Sequence, residues 1–496
     1  MSKVIIIGSG LGGLSCGYIL QKNGYEVTIL ERNMHIGGCL QSFFRGGVKF
    51  ETGMHFIGSA AQGQTMHRMM NYFGMTEEVR LYALDTMGYD TISFAGESFR
   101  FPNGEEAFVE QMSASFPREK DNLRRYFALV KRIASASTLN SLTSKERDLA
   151  ASTEYQTRSI NEVLDELFDD EMLRNVLVGN LPLYAAELDK TPFSQHAYIT
   201  DFYNQSSFRV VGGSDVIALS LANSIRKMGG RIFAGRGVSR ICCNDTQAVG
   251  VETADECFFP ADYVISTVHP ARLMEMLDTK LIRPAFRSRL RSIPNTTSCF
   301  SLYVKFKENT MPYLNTNYYG YKTSTPWKCE NYTEAEWPKG FLYMHHCHEE
   351  APRFARSGVV LSYMRMADVA SWKGTTVGHR GSGYEEFKRI HAERLIRRVE
   401  EHLPGFASAI DSYYTSTPLT YLEYTGTEDG SMYGVAKDIS LGAAGRVPYR
   451  TKVPNLLLAG QNTNSHGMMG VIVGTIVTCS ELIPAERLYK QILENG

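Results

Sequence analysis

The stretch KVIIIGSGLGGLSCGYILQKNGYEVTILER, residues 3–32, constrains the fold more than any other part of the chain. A β-branched run, Val4–Ile7, ends at Gly8-Ser9-Gly10-Leu11-Gly12-Gly13. Apolar residues then recur at helical spacing through Leu14, Tyr18 and Leu20, and Gly24 closes that helix. EVTIL is a second strand, and Glu31 follows it. This order is strand, glycine turn, helix, strand, acid: the signature of a dinucleotide site in a parallel α/β sheet. Gly8 permits the tight turn, Gly10 lets backbone approach a pyrophosphate, and Gly13 lets helix and strand pack closely. The helix start, with Ser9, Leu11 and Gly12 beside it, offers N–H groups and a positive dipole end to phosphates. Glu31 is placed to accept hydrogen bonds from ribose hydroxyls. Read without its context, a GxGxxG is also compatible with a ligand-free turn.

At 496 residues the chain exceeds one ordinary core, so two domains are expected, interleaved in sequence. With a net charge of -1, nothing argues for nucleic acid as a partner, and none is expected. Nine cysteines without a CxxC pair suggest free thiols in a reduced, cytoplasmic setting. Cys242 and Cys243 are adjacent, and neighbouring side chains on a strand diverge, so no redox pair is expected. The apolar run behind the N-terminus is about four residues, shorter than the roughly 7–15 of an export signal. GMMGVIVGTIVTC (467–479) falls short of the roughly 18–20 residues of a membrane span and reads as a buried helix.

ERNMHIGGCLQSF (31–43) bears on which dinucleotide is bound. Arg32 follows the acid, and the pair Gly37-Gly38 follows Arg32. This resembles the E-R-x-x-x-x-G-G extension of the two-domain FAD oxidases and desaturases, the superfamily of monoamine oxidase, phytoene desaturase and GDI. RVVGGSDVIALSLANSIRKMGGRIFAGRGVSRI (209–241) reads as glycine pair, helix, glycine pair, and a strand ending near Val238. The resemblance implies that Val238 meets the adenine through its backbone. YVISTVHP (263–270) reads as the next strand. NLLLAGQNTNSHGMMGVIVGTIVTCSELI (455–483) resembles the superfamily's closing motif. That likeness implies that Gly460 and Gln461 lie at the ribityl–phosphate region. It also implies that the helix start, with Met469, Gly470 and Val471, lies at the flavin. The fold class implied is α/β: a two-domain Rossmann-like FAD/NAD(P) fold of glutathione reductase/amine oxidase type with an interleaved α+β substrate domain. The expected FAD-binding pieces are 1–75, 205–280 and 420–496. Residues 76–204 and 281–419 form the expected substrate-binding domain.

Residues 105–200 read as mostly helical and 295–370 as richer in strand, with a helix at 384–403. The 27 Tyr, 25 Phe and 20 Met suit a long apolar cavity, though ordinary core packing explains most of them. FETGMHFIG (50–58), TPFSQHAYITDFYNQSSFRVVGGS (191–214), GSMYGV (430–435) and the closing motif together resemble the retinol saturase and carotenoid isomerase branch of the phytoene desaturase family. Glu51 stands where that family often has Asp, and Asn462-Thr463-Asn464 departs from its usual polar set. The branch implies an FAD-dependent oxidoreductase acting on C=C bonds of a hydrophobic polyene or isoprenoid, with NAD(P)H as one candidate donor. Alternatives on the same fold are a flavin amine oxidase and a redox-inactive, GDI-like prenyl binder.

In this fold the segment after the glycine pair returns past the flavin, which implies that His55 faces it. An imidazole titrates near neutrality and suits proton relay; a packed histidine bonded to backbone is the other reading. Tyr433 and His466 are catalytic candidates through the resemblance alone. His196 reads as packing. In HHCHEE (345–350), His346 and His348 would share one strand face, but no second pair of ligands is evident, so no metal is expected. The helix at 384–403 carries Lys388, Arg389, Arg394, Arg397 and Arg398. It reads as a solvated face, with peripheral membrane docking as the alternative.

Overall fold

The computed structural model describes residues 1–94, 96–137 and 153–495. The part of the expected helical stretch at 138–152 lies outside the described residues.

The strand Lys3–Ile7 is central to a five-stranded parallel sheet. Its neighbours are Glu26–Leu30 and Tyr263–Ser266, and Arg231–Phe233 and Leu456–Leu458 form the edges. The strands thus come from three distant stretches of the chain. The sheet is covered on both faces, which explains why VIII is apolar at every position. Val4 and Ile6 face the helices Leu11–Lys22, Asp215–Lys227 and Gly467–Cys479. Ile5 and Ile7 face the opposite layer, which includes Ile241 and Val251.

That layer contains an antiparallel sheet, Val238–Cys243, Ala248–Thr253 and Phe258–Pro260. Here the strand reading at Val238 needs correction. The parallel strand ends at Phe233, and Val238 opens the following antiparallel strand rather than closing one. Glycine at 235 (φ 70°) and at 237 lets the chain turn between the two.

A second, seven-stranded mixed sheet runs in the order Ile410–Ser416, Ser298–Phe306, Ser357–Met364, Gly340–His345, Asn317–Tyr321, Asp90–Phe94 and Glu97–Phe101. One face packs on the helices Glu105–Ser115, Lys120–Ala136 and Phe193–Gln205. The other face packs on the helix Ser382–His402. On that helix Lys388, Arg389 and Arg398 pair with acids of the same helix, and Arg394 pairs with Glu334. No helix among the described residues is long and apolar enough to cross a membrane. Gly467–Cys479 is a buried helix, and all nine cysteines are free.

Candidate active site

The glycine turn is held by contacts that leave no room for side chains. Gly8 has φ 98°, a region open to glycine. A Cβ on Gly13 would lie 1.9 Å from the Gly8 carbonyl oxygen, and one on Gly12 would lie 2.8 Å from the Gly460 Cα. Two stretches far apart in sequence therefore meet at bare backbone. Gly37 and Gly38, with φ 112° and 55°, abut the same turn. The Gly37 N–H donates to the Ser9 carbonyl (3.0 Å), and a Cβ on Gly38 would lie 3.0 Å from the Gly10 Cα. Gly10 is the N-cap of Leu11–Lys22, and no side chain caps that helix.

Glu31 is buried and organises this turn. Its Oε2 accepts from the Ser9 N–H (2.9 Å) and Ser9 hydroxyl (2.8 Å), and its Oε1 accepts from the Asn33 N–H (2.8 Å). The carboxylate thus staples the glycine turn to the second strand, a role the sequence reading did not include. Arg32 reaches across to donate to the Glu423 carbonyl. Thr267 donates to the Ile7 carbonyl (2.8 Å) and walls the Gly8 side. Nothing in the run YVISTVHP (263–270) marks Thr267 for this place. Val238 is half-buried at the start of its strand.

A cavity of about 1030 Å³ is lined by the start of the helix Gly467–Cys479, while Gly8–Gly13, Glu31, Arg32, Gly37, Gly38 and Val238 are not among its lining residues. His55, Tyr433 and His466 all line it, together with Met469 and Gly470. Gly460, Gln461 and Val471 are not among its lining residues; Gly460 sits behind, against Gly12. The Tyr433 and His466 rings stack with centroids 4.4 Å apart. The Tyr433 hydroxyl donates to the Pro182 carbonyl (3.0 Å). Both His466 ring nitrogens are buried without a protein partner. Burial, reinforced by Lys437, lowers the His466 pKa to about 3. Lys437 lines the same cavity, donates to the Asn462 carbonyl (3.2 Å), and is lowered to about 8 by burial and by Arg446.

His55 is buried, and neither ring nitrogen has a hydrogen-bond partner in the protein. Its Nδ1 lies 3.5 Å from Glu51 Oε2. His346 Nε2 lies 3.9 Å from the same oxygen. The sequence reading found no partners for HHCHEE; the fold supplies Glu51 and His55. The strand ends at His345, so His346 and His348 leave it and converge on the Ser357 hydroxyl at 2.9 and 2.7 Å. No sequence signal links these residues, because the strand Ser357–Met364 brings them together. Arg209, also missed, is buried below: it donates to the His55 carbonyl (3.3 Å) and Thr316 carbonyl (3.1 Å). His196 is a packed core residue, hydrogen bonded to Tyr126 (2.7 Å) and Tyr184 (2.8 Å), and burial lowers it to about 3.

Residues 11–478 match the profile of the flavin containing amine oxidoreductases. The chain belongs to this family. This flavin oxidoreductase is 26% identical to all-trans-retinol 13,14-reductase of Rattus norvegicus, over 99% of this chain and 87% of the relative. It is 22% identical to prolycopene isomerase 1 of an Oncidium hybrid cultivar, over 91% and 78% respectively. Among solved structures, an oxidoreductase from Methanosarcina mazei aligns with a TM-score of 0.64 at 15% identity, covering 96% of this chain and 100% of that one. The family and these relatives identify the chain as an FAD-dependent oxidoreductase of α/β, amine oxidase-type fold. The donor set suits the cofactor. The turn has no space for a Cβ at Gly8, Gly12 or Gly13, the helix start at Gly10 is uncapped, and His466 presents two orphaned nitrogens on the cavity.

Proposed function

We propose that this flavoenzyme acts on the C=C bonds of a hydrophobic polyene or isoprenoid, and that NAD(P)H is one donor able to reduce it. The observation that carries the reading is the large cavity lined by Met54, Phe56, Leu342 and Met344 as well as by His55, Tyr433 and His466. A polyene is long, flat and apolar, and methionine and aromatic walls adapt to such a ligand. The printed names of the relatives, a retinol reductase and a prolycopene isomerase, agree with that substrate class.

Residues 1–75, 205–280 and 420–496 carry the cofactor in this reading, and 76–204 and 281–419 the substrate. Gly8, Ser9, Gly10, Leu11, Gly12 and Gly13 hold the pyrophosphate at the helix start. Glu31 and Arg32 border the ribose, Gly37 and Gly38 lie alongside, and Val238 meets the adenine. Gly460, Gln461, Met469, Gly470 and Val471 border the flavin end. FAD, when bound, supplies hydride transfer to or from carbon. His55 holds a proton at an imidazole nitrogen on the cavity wall. His466, kept neutral by burial, adds no charge that an apolar ligand would have to desolvate. The stacked Tyr433 and His466 rings shape the flat slot.

The test is an absorbance spectrum of the purified protein, then anaerobic addition of NAD(P)H, then of retinoids and carotenoids. Reoxidation of the bleached flavin by a polyene supports a saturase, and bleaching of oxidised flavin by a polyene supports a desaturase. Peroxide production from simple amines, with no response to any polyene, overturns the reading in favour of an amine oxidase.

A further inference from the structure

Glu51, His55 and His346 form a buried cluster whose hydrogen bonding is incomplete. Their ligand atoms all lie within 4.8 Å of one another. Around the cluster, however, the orienting contacts are in place. Glu51 Oε1 accepts from the Ser214 N–H (2.9 Å), which turns Oε2 toward the two histidines. Ser357 donates its single hydroxyl proton to the Lys49 carbonyl (3.0 Å), because a carbonyl can only accept. The same oxygen must then accept from both His346 Nδ1 and His348 Nε2. His346 therefore carries its proton on Nδ1, and its buried Nε2 is a bare lone pair aimed at the cluster. A lone pair beside a carboxylate oxygen, with no proton between them, is an unfavourable pairing that a cation relieves.

We infer that Glu51, His55 and His346 bind one zinc-class divalent ion through Oε2, Nδ1 and Nε2. Two imidazoles and one carboxylate are a borderline nitrogen–oxygen donor set that suits Zn²⁺. At about 2.1 Å per bond, ligand atoms of a tetrahedral site are about 3.4 Å apart. The observed 3.5 and 3.9 Å to Glu51 approach that spacing, and the His55–His346 pair, within 4.8 Å, is brought to it by side-chain movement. Ser357 and Ser214 supply the outer hydrogen bonds that fix ligand orientation. Three protein ligands leave a fourth position open. Coordination through Nδ1 would also hold His55 as the Nε2–H tautomer, leaving a proton donor on a residue that lines the cavity. The Arg209 guanidinium nearby opposes a second positive charge, and the Glu51 carboxylate offsets it.

Ion binding at this cluster does not depend on which substrate the enzyme takes, so the test reads metal and not turnover. The FAD-loaded chain, without a histidine tag, is treated with EDTA, desalted and titrated with ZnSO4 by calorimetry. The expected result is one ion per chain. Glu51→Gln keeps an acceptor for Ser214, and His346→Asn keeps a donor for Ser357. Each should weaken zinc at least about 100-fold while the flavin spectrum is unchanged. Ser357→Ala, which frees the His346 tautomer, should weaken it about tenfold. CoCl2 in place of zinc should give ligand-field bands of nitrogen–oxygen coordination in the parent. No saturable zinc binding by the parent at about 100 µM overturns the site. So does binding that is equal in all the variants, or cobalt without such bands.

Discussion

The Tyr433 ring lies on the His466 imidazole, with planes 23° apart and both on the wall of the cavity. A near-parallel stack fixes two side chains that would otherwise rotate into the space a ligand occupies. Replacing Tyr433 with Leu removes the stack, worth about 0.5–1.5 kcal/mol. Turnover of a polyene substrate should fall by roughly threefold to tenfold, with FAD content unchanged. Tyr433→Phe keeps the stack and loses only the bond to the Pro182 carbonyl, so it should fall less. Steady-state kinetics of the two variants checks the order; equal losses would place the effect on the hydroxyl instead.

The glycine turn predicts a cofactor defect. Gly13→Ala sets a methyl 1.9 Å from a backbone oxygen, and neither the helix nor the strand can yield alone. The variant should purify without visible flavin or aggregate outright. Gly24→Ala, whose Cβ meets nothing within 4 Å but whose φ is 87°, should lose about 1 kcal/mol and keep its flavin. The absorbance ratio of flavin to protein decides between these outcomes.

Glu31 should matter for stability as well as for cofactor. Glu31→Ala removes acceptors for Ser9 and the half-buried Asn33 and leaves the buried Ser9 donors unpaired. A loss of about 1–3 kcal/mol per orphaned group is expected. Denaturation of the FAD-free form isolates this term: the variant should unfold at lower urea even with no ligand to lose.

Asp90 makes stability depend on pH. It is fully buried, and burial lifts it to about 7, partly countered by amide donors from Asn317 and Asn180 and by Arg209. The folded state keeps this proton where the unfolded chain, with a carboxyl near about 3.9, has released it. The contribution is therefore complete below pH about 4 and is lost as pH rises through about 7, about 4 kcal/mol in all. Thermal midpoints of the parent should fall between pH 5 and 8, and Asp90→Asn should flatten that fall. An identical slope in both proteins would sink this account.

What was legible in the sequence was local. Strand, glycine turn, helix and acid sit within one short stretch, so their periodicities and φ requirements show in the letters. Glu31 was visible as an acid but not as a staple, because its partners Ser9 and Asn33 are chosen by the turn's geometry. The seven-stranded sheet was only partly visible. Asn317–Tyr321 is buried along its whole length, so no alternation marks it. Glu51, His55 and His346 were seen separately and never as a group. Their meeting depends on how strand Ser357–Met364 pairs with its neighbours, and single-sequence periodicity does not encode that.

The central parallel sheet has an assembly-time consequence. Its edge strand Leu456–Leu458 and the helix Gly467–Cys479 come from roughly the last forty residues, yet they back the turn that opens the chain. A ribosome-bound chain reads out the first half of its cofactor cradle long before the second half exists. Long-range parallel pairing of this kind forms slowly and late. Loading of flavin thus reports that the stretch from Leu456 to Cys479 has been made and folded back, and chains cut before Leu456 should stay colourless.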